Sequence, residues 1–374
     1  MRFYLLQIPY MARVPDLRQG LQGASRENFS TMLGAMTDQV KLAEEVGFSG
    51  VCWTEQHFQV EGIEVNTNPI LYGAHMAANT TTMRVGQLGI PLPCHNPLKV
   101  AEDLALLDHM TGGRTFVGFS RGNTRRWADV FSQHLGIRAA SSDKSEQDEL
   151  NRELLKECFQ IIKAAWTEDL FSHDGRFWKV PQPGIPWRWP PTLEAGHSLD
   201  ESGVLRQIGV VPKPLQVPHP QIYTPFAFSM TTARFWAAHG VTLVSFVPDE
   251  AFLHTTLKVY REHALAAGRE VANARALAVG GHLLVQRSRE RSERFTEEFA
   301  DLFNYAYNVD PYHVPLGRVF GGTGEDALAR IEHLRDELDI EEVFLWQHVN
   351  CFEPDQEREA LEEFGTKVID RLRD

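Results

Sequence analysis

Eight short apolar segments recur along the chain, and most of them are hydrophobic at nearly every position. They begin at Arg2, Gly50, Met83, Arg114, Gln221, Val241, Leu277 and Glu342. Strands that are buried on both faces have this nearly unbroken apolar composition, whereas strands with one solvated face alternate. The pattern therefore predicts eight strands enclosed by other structure.

Stretches with helical periodicity separate these segments. In residues 96–110 the apolar positions recur every three residues, which places them on one face of a helix. The same periodicity marks three further stretches, residues 152–166, 323–338 and 355–372. Thr323 is the expected N-cap of the helix after it, with Asp326 three residues further on.

Regular alternation of strands and helices predicts parallel strands with right-handed helical crossovers. Eight such units close into a (β/α)8 TIM barrel, so the sequence predicts an α/β protein with one barrel domain over residues 1–374. The alternative is a doubly wound open sheet, but the first strand–helix turn of that fold usually carries a GxGxxG motif, which is missing here. We interpret "GGTGED" at 321–326 as a loop and helix cap.

Residues 171–220 break the alternation. They are rich in proline and aromatic residues, including Trp187 and Trp189, and have no helical period and little strand pattern. In a barrel this segment is an insertion before the fifth strand. It is either a lid over the barrel mouth or a rigid peripheral loop.

Composition excludes several classes of partner. The formal charge of −13 opposes binding to nucleic acid or to an anionic membrane. The longest apolar runs are too short to span a bilayer, and the amino terminus lacks a signal-peptide layout, so we expect a cytoplasmic protein. The four cysteines lie far apart and do not have zinc-ligand spacing.

Ligands of such barrels bind at the carboxyl ends of the strands. The candidates there are Glu55, Gln56 and His57 after strand two, Ser120, Arg121 and Gly122 after strand four, Ser229, Thr231 and Thr232 after strand five, and Trp346, Gln347 and His348 in strand eight. The hydroxyls after strand five, next to the N-H groups that open a helix, together with Arg121, predict an anion site. The alternative is that the hydroxyls only cap the helix and Arg121 is a surface residue.

Five stretches of the chain are similar to one family over nearly its full length. They are "EEVGFSGVCWTEQHF", "NTNPILYGAHMAANTTTMRVG", "LPCHNPLKVAEDLALLDHMTGGRTFVGFSRG", "PKPLQVPHP" and "GGTGEDALARI". The chain resembles the bacterial luciferase-like flavin monooxygenases, and the third stretch is long and specific.

This resemblance implies a (β/α)8 barrel that binds FMN, usually as reduced FMN delivered by a separate NAD(P)H:flavin reductase, or binds the deazaflavin F420. It places phosphate ligands at Arg121, Arg152, Ser229 and Thr232, with Ser120 beside the first of them. It also places a non-proline cis peptide under the flavin ring at Leu88–Gly89. Members of the family are often homodimers.

One position departs from the family pattern. Where the family has two successive histidines, this chain reads Glu55-Gln56-His57, so the position of the luciferase base holds an amide that cannot take a proton at neutral pH. His57 is then the candidate for orienting an oxygen species or polarising a carbonyl, with a scaffold role as the alternative.

The resemblance implies a monooxygenase in which reduced FMN and O2 form a flavin hydroperoxide that oxygenates a small, apolar organic substrate. A carbonyl compound open to Baeyer–Villiger insertion is one candidate. The alternatives are an F420-dependent hydride-transfer oxidoreductase, for which Arg125 and Arg126 are additional basic residues, and a flavin-binding protein without catalysis.

Overall fold

Eight parallel strands form a closed barrel. The computed structural model describes residues 1–227, 229–309 and 316–373. The strands are β1 (Arg2–Pro9), β2 (Gly50–Trp53), β3 (Arg84–Gln87), β4 (Thr115–Ser120), β5 (Ile222–Thr224), β6 (Thr242–Ser245), β7 (Leu277–Val285) and β8 (Glu342–Val349). Each strand is hydrogen bonded to the next, and β8 is hydrogen bonded to β1, so the ring has no open edge. This closure confirms the barrel and excludes the open sheet.

A further strand, Val319–Gly322, pairs in parallel with β7. The sequence analysis missed this strand because its glycines, Gly321 and Gly322, were interpreted as part of a loop. The helix cap predicted just after it is present: Thr323 accepts a hydrogen bond from the Asp326 N-H, and the Asp326 carboxylate accepts one from the Thr323 N-H. The reciprocal pair fixes where the helix begins.

Helices connect the strands, and all four stretches with predicted helical periodicity are helical. The α-helices are Val14–Leu17, Arg26–Glu45, Pro69–Ala78, Pro97–Met110, Arg125–Phe131, Glu146–Thr167, Pro190–Ala195, Met230–His239, Glu250–Ala266, Asn273–Ala276, Arg289–Ala306, Gly324–Leu338, Pro354–Phe364 and Asp370–Leu372. Short 3-10 turns span Gln22–Ala24, Leu92–Cys94 and Gln133–Leu135, and a π-helical turn spans Gly365–Ile369. The last predicted helix is therefore interrupted by one wider turn.

Contacts divide the chain into two compact units. The first unit contains residues 1–89, 116–119 and 221–374 and holds the barrel. The second contains residues 90–115 and 120–220, which include the predicted insertion at 171–220. In that insertion His173–Asp174 and Lys179–Val180 form a short antiparallel pair.

Large side chains fill the amino-terminal end of the barrel. Four rings pack there edge to face or stacked, those of Tyr4, Phe116, Tyr223 and Phe344. The Tyr223 hydroxyl lies 3.0 Å from a carboxylate oxygen of Glu342, which is fully buried. Such packed side chains fill the interior of barrels of this type, whose ligands bind at the carboxyl ends of the strands.

Two carboxylates anchor the insertion within the second unit. Glu157 accepts hydrogen bonds from the backbone N-H groups of Arg176, Phe177 and Trp178 at 3.0, 3.1 and 2.7 Å. Asp108, which is fully buried, accepts both the backbone N-H and the side-chain amide of Gln216 at 2.8 and 2.6 Å. The segment is therefore fixed near its beginning and near its end, and its role as a lid stays a prediction.

Candidate active site

The peptide bond between Leu88 and Gly89, just after β3, is cis, as expected from the resemblance. A Cβ atom on Gly89 would lie 2.8 Å from the carbonyl carbon and oxygen of Gly118 in β4. A Cβ on Gly118 would in turn lie 2.3 Å from the carbonyl oxygen of Gln87. Both positions need glycine because the two backbones approach too closely for any side chain.

The loop after β2 holds an acid–imidazole pair. Nε2 of His57 lies 2.8 Å from Oε1 of Glu55, whose side chain is buried. The backbone N-H of Gln56 donates to the carbonyl of Asn66 at 2.9 Å, which folds the loop back on itself. The carboxylate fixes the orientation of the imidazole, and this arrangement suits a histidine that holds or moves a proton.

Aromatic side chains line the carboxyl half of the barrel. The rings of His282 and Trp346 stack at 4.6 Å, and Phe226 and Phe246 lie 5.8 and 5.7 Å from Trp346. The indole Nε1 of Trp346 is buried and has no hydrogen-bond partner among the described residues. A buried donor without an acceptor is costly, so this position fits a ligand that supplies an acceptor atom in an apolar setting.

Ser229 is the N-cap of the helix Met230–His239. Its hydroxyl accepts a hydrogen bond from the Thr232 N-H at 3.3 Å and lies 2.9 Å from the Thr232 hydroxyl. The capping alternative is therefore present in the structure. Thr231 is exposed beside them, and phosphate binding by these hydroxyls stays a prediction.

In the second unit two arginines share one buried carboxylate. Nη1 of Arg121, which directly follows β4, lies 2.9 Å from Oδ1 of Asp148, and Nη2 of Arg152 lies 3.4 Å from Oδ2. Arg121 also donates to the Ser142 hydroxyl at 3.2 Å. Thus Arg121 and Arg152, which were predicted to bind one phosphate, do lie around one group, and that group is a side chain that the sequence analysis did not single out.

Two arginines and two carboxylates, Asp148 and Glu149, form this charged cluster. Burial lowers the pKa of Arg121, and the neighbouring charge of Arg152 lowers it further against the attraction of Asp148. Burial raises the pKa of Asp148, but the Ser142 N-H and the two guanidinium groups outweigh it, so the net pKa is lowered. Glu149 lies 3.4 Å from Arg152 Nε but is half exposed. Two half-buried guanidinium groups around one fully buried carboxylate can bind a further anion, such as a phosphate.

Several polar residues of interest were missed from the sequence. Asp148 was overlooked because it lies in the first turn of a helix, where an acidic residue is ordinary. One buried hydrogen-bonded chain, which includes His348, was also missed in four of its members, Tyr10, Glu64, His282 and Tyr307. The signal for His282 was available, since it is a polar residue inside the otherwise apolar segment "LAVGGHLLV".

The described part of the chain contains neither a candidate metal cluster nor a candidate membrane-spanning helix. No group of three or more His, Cys, Asp or Glu side chains within residues 1–227, 229–309 and 316–373 could hold a metal ion. Over the same residues, no helix combines the length and the apolar composition needed to cross a bilayer.

Comparison with known proteins gives the family. The model of the luciferase-like monooxygenase family matches residues 17–337. The chain therefore belongs to the luciferase-like monooxygenases, a family of oxidoreductases, and the resemblance identified from its motifs is confirmed.

Individual relatives are more distant. A luciferase-like monooxygenase of Escherichia coli K12 is 35% identical over 123 residues, which cover 32% of this chain and 35% of that protein. The matches span less than half the length of the first curated relatives. Solved structures that share the fold include the oxygenating constituent of 3,6-diketocamphane monooxygenase from Pseudomonas putida, a type II Baeyer–Villiger monooxygenase in complex with FMN. It has a TM-score of 0.69 and 20% sequence identity, over 92% of this chain and 95% of that chain. An F420-dependent secondary alcohol dehydrogenase has a TM-score of 0.67 and 14% identity, over 100% of both chains.

Proposed function

We propose that this protein is an FMN-dependent monooxygenase that uses reduced FMN and O2 to oxygenate a small apolar substrate. The observation that carries the proposal is the pair of half-buried guanidinium groups, Arg121 and Arg152, around the buried carboxylate of Asp148. Such a pair is a receptor for a phosphate monoester, which FMN carries. Membership of the family supports the oxidoreductase class.

Arg121 and Arg152 would bind the flavin phosphate, with Ser120 beside them. Asp148 orients both guanidinium groups, and the N-H groups that are not engaged by Asp148, Ser142 or Glu149 would bind the ligand. For Ser229 and Thr232 we retain the phosphate-binding role that the family implies, with their helix N-terminus as the physical reason.

The backbone after β3 would support the flavin ring. Leu88 is fully buried, and Gly89 keeps the chain close to β4. When bound, reduced FMN would supply the electrons with which O2 is activated to place one oxygen atom in the substrate. The surrounding apolar side chains would exclude water from that chemistry.

His57 would hold or move the proton in the loop after β2. Glu55 fixes its ring by the hydrogen bond to Nε2, and the Gln56 amide cannot exchange a proton at neutral pH. Gln56 would act as a polar contact only, so the proton chemistry differs from that of relatives with two histidines at this point.

The substrate would be apolar, since Phe226, Phe246 and Trp346 surround the one buried indole N-H of that cluster. That N-H suits a carbonyl oxygen, which supports a ketone or aldehyde as substrate. The fold likeness to a Baeyer–Villiger monooxygenase is consistent with that class. The sequence carries no dinucleotide-binding fingerprint, so we propose that a separate NAD(P)H:flavin reductase supplies reduced FMN. We also propose that the enzyme works as a homodimer, as members of its family often do.

An anaerobic titration tests the cofactor. Reduced FMN and reduced F420 are each added to the purified protein, and the complex is then mixed with oxygenated buffer while the flavin spectrum is recorded. Tight binding of FMN and reoxidation slower than that of free reduced FMN support the proposal. Binding of F420 without FMN would overturn it in favour of hydride transfer, and binding of FMN with no effect on its reaction with O2 would favour a binding protein.

A further inference from the structure

A continuous chain of five buried polar side chains runs through the barrel unit and has no part in the mechanism above. Nδ1 of His282 lies 3.3 Å from Nε2 of His348, and Nδ1 of His348 lies 2.9 Å from the Tyr10 hydroxyl. The Tyr10 hydroxyl lies 2.5 Å from that of Tyr307, which is a hydrogen-bonding neighbour of the Glu64 carboxyl. Every link joins groups that can both donate and accept a proton.

The two ends of this chain differ. Glu64 lies in the loop after β2 and has the largest exposed fraction of the five side chains, 9%, against 0% for Tyr10 and 1% for His282. His282 lies in β7 and stacks on Trp346, whose indole N-H has no partner among the described residues. One end is therefore the nearest to solvent, and the other lies beside the position that fits a ligand.

We propose that Glu64, Tyr307, Tyr10, His348 and His282 form a proton relay, here called the buried relay, that delivers a proton to an acceptor bound beside Trp346. The acceptor is a basic oxygen atom of the substrate or of its oxygenated product, so its identity rests on the proposed function. His282 is the residue that touches the acceptor, and the other four residues act through it.

The step balances with every interior group neutral. The His282 Nε2-H bond breaks toward the acceptor, while Nδ1 of His282 takes the proton from Nε2 of His348. Nδ1 of His348 takes one from Tyr10, Tyr10 takes one from Tyr307, and Tyr307 takes one from the Glu64 carboxyl. Both histidines change tautomer, both tyrosines end as they began, and the protonated Glu64 becomes a carboxylate that solvent recharges.

The environment favours this neutral pathway. Burial lowers the pKa of His282 to about 3 and lowers that of His348 well below its usual range, so neither ring is cationic at neutral pH. Burial raises the pKa values of Tyr10 and Tyr307 well above the usual value. Burial raises the pKa of Glu64 to about 7, so this is the member that exchanges protons near neutrality.

One other carboxyl nearby titrates in the same range: burial also raises the pKa of Glu357 to about 7, and Glu357 accepts hydrogen bonds from the backbone N-H groups of Asn350 and Cys351. The faces of His282 and His348 pack against the rings of Phe299, Phe303 and Phe352. Cys351, a buried thiol, is the further ionisable group that acts on Tyr10 and Tyr307, and burial raises its own pKa well above the usual value. The thiol is therefore neutral when Glu64 titrates.

The relay is tested in the protein without flavin, by 15N NMR of the histidine rings between pH 5.5 and 8.5. Spectra of His282→Gln and His348→Gln assign the two rings among the 15 histidines. Below the pKa of Glu64, both rings should carry their proton on Nε2. Above it, the carboxylate reverses every hydrogen bond and both should carry it on Nδ1, with a midpoint near pH 7.

Tyr10→Phe removes the central hydroxyl and keeps the shape of the side chain. In this variant the tautomers of His282 and His348 should no longer change with pH. Tyr260→Phe is the matched control, since Tyr260 is also fully buried and its hydroxyl donates to the Val241 carbonyl at 3.0 Å outside the relay. Rings that keep one tautomer across this range in the wild type, or that still titrate in Tyr10→Phe, would overturn the relay.

A kinetic readout connects the relay to the oxygen reaction. With reduced flavin bound and oxygen added, Tyr10→Phe should slow product formation by roughly 10²-fold, with an unchanged KM and a lost solvent isotope effect. Failure of the protein to bind flavin would overturn the proposed function. The NMR result would still show whether the five side chains exchange protons as one hydrogen-bonded chain. If the histidine tautomers respond to pH in the wild type but Tyr10→Phe forms product at the wild-type rate, the chain does not deliver the proton, and the relay is overturned.

Discussion

Nη1 of Arg121 lies 2.9 Å from Oδ1 of Asp148, and this buried carboxylate holds the guanidinium at the end of β4. Asp148 lies in the first turn of the long helix Glu146–Thr167, and it also pairs there with Arg152 one turn later. A helix start and a strand end thus share one ion-pair cluster, and the first predictions concern its binding and its stability.

We expect Arg121→Ala to weaken FMN binding by about 1.5–3 kcal/mol, or roughly 10-fold to 150-fold in Kd, because a charge-assisted contact to phosphate is lost. Fluorescence titration with FMN measures the change. Arg125→Ala is the control, since Arg125 is 75% exposed and pairs only with Asp129 among the contacts described. Equal affinity in the wild type and Arg121→Ala would remove Arg121 from the phosphate site.

Asp148→Asn should destabilise the protein by about 2–4 kcal/mol at neutral pH, because two half-buried guanidinium groups lose their shared carboxylate. The pKa of Asp148 is lowered in the folded state, so its stabilisation is present above the pKa of the unfolded chain and is lost as the pH falls through the folded value. Urea unfolding at pH 7 and in acid should therefore show a difference that shrinks at low pH. Glu153→Gln, which affects an exposed pair with Arg176, should cost less than about 1 kcal/mol.

Gly89→Ala should reduce stability by about 1–3 kcal/mol or more, because its Cβ would meet the Gly118 carbonyl, which is backbone and cannot turn away. Gly34→Ala is the matched variant. Gly34 lies inside the helix Arg26–Glu45 with nothing within 4 Å of the added carbon, so it should gain about 0.5–1 kcal/mol. Chemical denaturation compares them, and an equal response would show that the close approach of β3 and β4 does not constrain position 89.

His57→Ala should lower turnover by roughly 10²-fold to 10⁴-fold and leave the Kd for FMN nearly unchanged, since its role is proton transfer and not binding. Single-turnover kinetics with a ketone or aldehyde substrate measure the loss. His134→Ala, at an exposed position in a 3-10 turn, is the control. Turnover at the wild-type rate would make His57 a scaffold residue.

Glu64→Gln should flatten the pH dependence of stability. The folded pKa of Glu64, about 7, lies above its ordinary value of 4.5, so its contribution is fully present below the unfolded pKa and is lost as the pH rises through 7. The wild type should therefore lose up to about 3 kcal/mol more than the variant between these values. Denaturation across this pH range measures the difference, with the exposed Glu270→Gln as control; parallel curves for the wild type and Glu64→Gln would contradict it.

The barrel could be predicted from the sequence because its signals are local and repeated. The segments that became β7 and β8 match their predicted bounds, and the others differ by a few residues at their ends. Val319–Gly322 escaped because its glycines are poor strand formers, and its stability comes from pairing with β7, which is a contact distant in sequence.

The candidate site was predictable only in part. The cis bond at Leu88–Gly89 and the position of Arg152 followed from the family motif alone, and Arg121 followed from both the motif and its place at a strand end. Asp148 and the buried relay were not foreseen, because each depends on which side chains the closed ring brings together. Tyr10 and Tyr307 are nearly three hundred positions apart in the chain, and no local sequence pattern predicts the contact between their hydroxyls.

The anchors of the insertion have a consequence for how the protein could diversify. Glu157 binds the backbone of Arg176, Phe177 and Trp178, and Asp108 binds Gln216. The roughly forty residues in between are therefore fixed at both ends by residues outside the stretch. The sequence between these two attachment points can change without any change at Glu157 or Asp108. This stretch, with the exposed Trp187 and Trp189, is therefore where the sequence can vary most freely.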